Sequence, residues 1–571
     1  MSDNPNKLSR FWQELKRRRV IHVIIVYATA AFVIIELINN VYETLNLPDW
    51  TPALTLIILV VGFPIAVIFA WIYDFTVKGI KKTEPIEDTA EVIELHSTKD
   101  KPVTPEKSII VLPFEDISSE QDQDYFSDGL TEEITADLSH IHDLKVISRT
   151  SAMTLKGTNK RMNEIASELN VRYVLEGSVR KAENNLRITA QLIDAVQDTH
   201  LWAEKYNGEL DDVFEIQERV SRNIVKALEI RLSSKEEKKL SERPIENIQA
   251  YEYWLKARYE VFQYQNENMV RAIEYMEKGM KIMGDNALLY AGLGFVYIQF
   301  YNSGLRTTAQ TLKEAEKYAL KALELDPEGY LGHFVIGIMY YLQGKIKEAI
   351  PILKRALTYN PNHTDSIRIL AYIYSFLLGN KRAGTLLLEQ LLDLDPYFII
   401  NHVLPAYAEL GQGNLEKALS LSESYFRNYP DYFAARTQHV IILLMHKHTE
   451  KAGQILDKLQ SENPDHTQVQ VYSCLNHCVL NQKDLFLRSF SKEIEETAWN
   501  HSLYSWYVAE CFALVNEKEK SIDWLENSVN RGFINYPFLN EYDPLLDNIR
   551  GEDRFIKLME RVRFEWETFE T

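Results

Sequence analysis

Pro327, Pro361, Pro396, Pro430 and Pro464 stand 34, 35, 34 and 34 residues apart, and each follows an amphipathic run that reads as a helix. A proline costs little just past a helix end, where no further turn is wanted. A fixed period of this length points to stacked helical pairs, because one pair alone cannot bury its apolar face. The clearest copy is residues 329–361, GYLGHFVIGIMYYLQGKIKEAIPILKRALTYNP. In it Ile336 and Tyr340 line a first helix, Gly337 marks close helix approach, Gly344 breaks to a turn, and Ala349, Leu353 and Ala356 line a second helix.

These small and large positions resemble a tetratricopeptide repeat, and the resemblance implies an all-α superhelix over residues 245–571. Leu293, Gly294 and Tyr297 mark an earlier copy, and residues 301–311 read as an insertion. Residues 467–492 read as a degenerate pair, and Tyr507, Ala509, Trp524 and Leu525 as the last one. The tail, 543–569, is expected to cap the stack, since an end repeat needs a polar outer face. The first helices of such repeats line a concave groove, and counting from the closing prolines puts Phe295, Phe334, Tyr341, Tyr372 and Tyr407 on it. Arg368 takes one more groove position. Aromatic anchors there suit a partner peptide or helix. Basic residues able to clamp an acidic carboxyl terminus do not recur.

The front of the chain reads differently. Residues 20–38 (VIHVIIVYATAAFVIIELI) and 52–71 (PALTLIILVVGFPIAVIFAW) are each long enough for about 30 Å of apolar helix. Lys16 to Arg19 precede the first run, Lys78, Lys81 and Lys82 follow the second, and the connector NNVYETLNLPDWT has no Lys or Arg. The expectation is a two-helix transmembrane hairpin over 1–82, with both ends on the cytoplasmic side of an inner membrane and lipid as a partner. Trp50, Trp71 and Tyr73 would sit at the interfaces. Glu36 would lie near the outer end of the first span, where a carboxylate can snorkel.

Residues 83–106 are polar, with Pro85, Pro102 and Pro105, and read as a linker. Over 107–235 short apolar runs alternate with helical ones: SIIVLPF, a helix near Leu130 capped by Asp128 with Glu132 and Glu133 at its positive end, LKVISRT, a helix at 161–169, then strands at 173–179, 186–193 and 199–206, and a long amphipathic helix at 211–232. Gly177 suggests a bulge or a close backbone approach. The motifs SIIVLPFEDIS, YFSDGLTEEITADLS, LKVISRTSA, IASELNVRYVLEGSVRK, LRITAQLIDA and HLWAEKYNGELDDVFEIQ resemble the α/β TolB-like amino-terminal domain of bacterial membrane-anchored tetratricopeptide proteins. FWQELKRRRV, YDFTVKGIKK and FLNEYDPLLDNIRGEDRF extend that likeness along the chain. It implies a multidomain protein and no settled enzymatic activity. Some relatives join this domain to a nucleotide cyclase or a DNA-binding regulator, which hints at signalling.

The chemistry of the chain agrees with a binding role. Net charge is −19, and the acidic body beyond residue 82 argues against nucleic acid as a partner. Only Cys474, Cys478 and Cys511 occur, which fits a reducing compartment rather than a disulfide framework. No Walker loop, dinucleotide fingerprint, HExxH, GxSxG or kinase set is present. The carboxylates at 116, 120, 122, 124 and 128 lack the spacing of a calcium loop and read as solvated. Cys474, His477 and Cys478 share a helical face without a fourth ligand, and His446 and His448 flank a turn; neither set is expected to hold a metal. No cofactor is expected. The reading is a non-enzymatic scaffold that binds protein segments in its repeat groove. A signalling regulator whose α/β domain senses a ligand or a cyclase-like partner is the alternative, and an enzyme using Asp116, Asp128 and Glu176 is a third class. Oligomeric state is not legible.

Overall fold

The computed structural model describes residues 106–569 apart from 119–123, 264, 303–304 and 307, together with 73–76, 79–82 and positions 31, 54, 55, 59 and 63. Two units divide the chain, 1–101 and 102–571. In the first, β1 (Tyr73–Thr76) pairs antiparallel with β2 (Gly79–Lys82), Tyr73 opposite Lys82.

The expected transmembrane hairpin is corrected here. Among the described residues no helix is long and apolar enough to cross a membrane. The apolar runs 20–38 and 52–71, and Glu36 with them, fall almost wholly outside the described residues. The multi-pass, inner-membrane placement and the lipid partner that rested on those runs fall with the hairpin.

The second unit opens with a mixed sheet of order β5-β3-β6-β7-β8, with β4 added on β6. β3 (Ser108–Val111), β4 (Glu115–Asp116) and β5 (Lys145–Val146) are parallel to their partners, whereas β6 (Tyr173–Ala182), β7 (Asn185–Asp194) and β8 (Thr199–Glu209) form an antiparallel meander. β3 is buried throughout and apolar after Ser108, as suits a central strand covered on both faces. Its Ile109 and Val111 join one core, and Ile110 joins another with Ile147, Ile165 and Leu169. The β6–β7 hairpin turns at Glu183 and Asn184, with Glu183 at φ 52°. Gly177 is a close approach: a Cβ there would overlap the Phe114 ring and the Thr189 carbonyl. The irregular register lies elsewhere, between Leu192 and Ile193.

Helix α1 (Asp124–Ser139) covers the sheet with α4 (Val213–Ala227), while α2 (Arg149–Met153) and α3 (Met162–Glu168) are short, and α5 (Ser234–Ser241) leads out. α1 begins at Asp124, so Asp128 does not cap it. Asp128 lies buried in the second turn and pairs with Lys156 at 2.7 Å. The run expected as one strand, LKVISRT, gives only Lys145–Val146 before Ser148 caps α2.

Eight helical pairs follow, from α6 (Ile248–Val261) with Asn266–Met283 to Ser502–Leu514 with Lys518–Asn530. At Asp326, Asn360, Asp395, Tyr429 and Asn463, each just before a ladder proline, φ lies between −132° and −141°. Proline excludes its predecessor from the helical region, so the second helix ends there. Three of the turns are then tied down by a side chain six residues on: His333 to the Pro327 carbonyl at 2.9 Å, His402 to Pro396 at 3.1 Å and Gln470 to Pro464 at 3.0 Å.

The sheet and the repeats share one hydrophobic core, running from Ile109 to Val562. Their junction uses the turns of the proline ladder. Asn362 donates to the carbonyls of Ser139 (3.2 Å) and Leu144 (3.1 Å), and the Ser148 N–H donates to the Leu394 carbonyl at 2.8 Å. Buried Asp395 accepts from the hydroxyls of Ser148 and, at 2.7 Å, Ser151. At the far end, Asn535 donates to the carbonyls of Phe376 (2.9 Å) and Gly411 (2.8 Å), and the Trp566 indole donates to the Leu378 carbonyl at 2.7 Å. The segment after the last pair therefore folds back onto the turns of earlier repeats, and Asp553–Glu567 ends the chain as a helix.

Candidate functional site

The first helices of the repeats aim a row of tyrosines at one interior. Tyr341 meets Tyr372 edge-on with centroids 6.2 Å apart, and Tyr372 meets Tyr407 at 5.5 Å. Tyr472 donates to the Tyr507 hydroxyl at 3.2 Å. Tyr504, on the last pair, lies near Tyr301, Tyr341 and Tyr407. Burial raises the phenols of Tyr341 and Tyr372 and pushes Tyr407 up to about 12, so all three are neutral hydrogen-bonding groups. Tyr341 and Tyr372 are half-buried, while Tyr407 is 9% exposed.

Phe295 and Phe334 sit deeper, 3% and 2% exposed, with their rings 6.2 Å apart between repeats. Arg368 forms an ion pair with Asp365, donates to Asn401 Oδ1 at 2.9 Å and lies over the Phe398 ring at 4.9 Å, so its charge is answered within the repeats. Of the six residues read as a groove, Tyr341, Tyr372 and Tyr407 are brought together on one wall, and Phe295 and Phe334 form a second cluster beside the sheet domain.

A cavity of about 530 Å³ lies between α1, α4, α5, α6 and the 326–332 turn. Carboxylates outnumber Lys and Arg eight to three among its lining residues. Glu132 forms an ion pair with Arg149 at 2.9 Å and accepts from Arg258 at 2.8 Å, and these two charges hold its carboxyl below the usual range despite burial. The Arg258 guanidinium also lies 5.3 Å from the centroid of the Phe295 ring. Glu133, the next residue, accepts from the Trp254 indole N–H at 2.9 Å, and burial pushes it up to about 7. Asp137, one turn on, is raised well above its ordinary value by burial and by the Glu133 carboxylate, and among the described residues it accepts only from the Ser221 hydroxyl, at 3.3 Å.

Reading the sequence placed Glu132 and Glu133 at a helix start and did not foresee this cavity. The signal available was an acidic pair inside an apolar helix; its partners Arg258 and Trp254 stand more than 120 residues away. The third-class candidates are each held by their own partners: Asp128 by Lys156, Glu176 by Gln191, and Asp116 by the Ser118 N–H at 2.9 Å. Cys474, Cys478 and Cys511 are free and buried, and among the described residues no group of three His, Cys, Asp or Glu side chains is placed to hold a metal.

Fold and site together describe an array of helical pairs with a sheet domain built into the same core. A tetratricopeptide repeat model matches residues 332–363. Residues 105–223, where the sequence resembled a TolB-like domain, are instead matched by the model of the second domain of HilA/YgeH-like transcriptional regulators. A Rhizobium meliloti (strain 1021) protein named putative adenylate cyclase 3 is 35% identical over 243 residues, 42% of this chain and 41% of that protein. Tetratricopeptide repeat protein 17 of Danio rerio is 22% identical over 129 residues, 22% of this chain and 11% of that protein. The chain thus spans about two fifths of the first of these relatives and about a tenth of the second. Among solved structures, a tetratricopeptide repeat protein from Parabacteroides merdae ATCC 43184 is 16% identical with a TM-score of 0.32, covering 50% of this chain and all of that one. The P58(IPK) tetratricopeptide domain is 12% identical with a TM-score of 0.19, covering 56% of this chain and 99% of that one.

Proposed function

We propose that the protein is a non-enzymatic interaction scaffold that holds a peptide or helix of a partner protein against the tyrosine wall formed by Tyr341, Tyr372 and Tyr407. The observation that supports this most is the convergence of phenols from successive repeats on one interior, where neutral hydroxyls and ring faces give both apolar area and hydrogen bonds. Repeat arrays present such inner surfaces to other proteins. A photo-crosslinking residue at Tyr372, compared with one at exposed Lys381 on the second helix of the same repeat, tests it. The expected result is a discrete adduct at 372 that is absent at 381 and is lost when Tyr341 and Tyr407 are both changed to alanine. Equal labelling at both positions contradicts the reading.

A second reading has its own observation, the cavity between the sheet domain and the repeats. In it the chain is a signalling regulator whose sheet domain takes up a small ligand at that junction. The likeness to a putative adenylate cyclase over two fifths of the chain supports a signalling context.

A further inference from the structure

We propose that the cavity binds a small aliphatic diamine, with its two ammonium groups taken by Glu133 and Asp137 and its chain lying against the rings of Trp254 and Tyr330. This rests on the second reading above and names the ligand class for it. Glu133 and Asp137 are four residues apart on α1, so they share one helix face with about 5–6 Å between their Cβ atoms. Neither forms an ion pair among the described residues, and the charged groups acting on Asp137 are the carboxylates of Glu133 and Glu218. The other acids around the cavity differ in this respect. Glu132 has two arginines, Glu218 has Arg222 at 2.9 Å, Glu328 has Lys235 at 2.9 Å and Asp285 has Lys321 at 3.5 Å.

The walls point the same way. Trp254 and Tyr330 line the cavity, and among the described residues the Tyr330 hydroxyl makes no hydrogen bond, although its ring is held edge-on by His140 (5.5 Å) and His363 (5.1 Å). Ring faces beside carboxylates recognise an organic cation by cation–π attraction together with charge-assisted hydrogen bonds. A diammonium ligand supplies the counter-charge that lets both acids ionise, whereas an anion gains nothing from them and is repelled once either ionises. The space, about 530 Å³, suits a small molecule.

The test is calorimetric titration of the intact chain with putrescine at fixed ionic strength, beside 1,4-butanediol and succinate, with thermal melting in parallel. Saturable binding of putrescine is expected, with a raised melting temperature, no response to the other two, and at least tenfold weaker binding in Glu133→Gln and Asp137→Asn. Those variants remove a buried charge and are expected to fold; their melting temperatures without ligand check that directly. Putrescine binding unchanged in both variants overturns the site, and no saturable putrescine binding overturns the proposal. Saturable binding of butanediol or succinate that a cavity-filling Ala136→Trp abolishes overturns the diamine while leaving the ligand-sensing reading in place.

Discussion

Glu133 shows how burial decides the behaviour of a single residue. Its carboxyl is pushed from 4.5 up to about 7 by loss of solvent, with one indole N–H as compensation. Because the folded state binds this proton more tightly than the unfolded state, its effect has the opposite sign to that of a salt-bridged carboxylate. Stability falls as pH rises from about 4.5 to about 7 and stays lower above that window. Glu133→Gln keeps an acceptor for Trp254 and removes the ionisation. Urea unfolding is expected to show a flatter pH dependence for the variant and a gain at pH 8 of at most about 3 kcal/mol. A loss of stability at pH 8 would contradict it. Glu132, its neighbour, behaves in the usual way because Arg149 and Arg258 answer its charge.

At the scale of elements, the turns before the ladder prolines do two jobs. They end the second helices, and those at Asn360–Asn362 and Asp395–Tyr397 dock the sheet domain. Asp395 is the focus of the second. It is fully buried and accepts from Ser148, Ser151 and, at 3.1 Å, Asn401. Asp395→Ala takes the shared acceptor from the Ser148 and Ser151 hydroxyls, while Asn401 keeps the Asp395 carbonyl, so a destabilisation of about 1–3 kcal/mol is expected in denaturant unfolding. The loss is expected in hydrogen-exchange protection of β5 and α2 as well as of Lys381–Leu394. Protection lost in the repeat alone would mean that the turn does not carry the junction.

For the whole molecule, what the sequence discloses depends on range. The ladder from Pro327 to Pro464 acts within a few residues of each proline, so pattern alone reveals it. The docking of Ser148 and Ser151 on Asp395 joins positions more than 240 residues apart and leaves no local trace. Gly177 was legible as a close approach but its neighbour Phe114 was not. Tyr341, Tyr372 and Tyr407 were legible as first-helix aromatics 31 and 35 residues apart, near the repeat period, whereas nothing local marked Tyr472, Tyr504 and Tyr507 as their neighbours. The charge argument at the front of the chain rested on two apolar runs that the described residues do not support as spans.

The central structural claim is that the sheet domain and the first repeats form one cooperative unit, since a cavity at their junction can report on both only if neither opens alone. Hydrogen exchange of the intact chain through a urea titration tests it, following peptides from 173–209 and from 248–397. Coincident loss of protection in the two sets is the result expected from their shared core. Loss of the sheet peptides at lower urea, with 248–397 still protected, would show two separate domains and contradict the account.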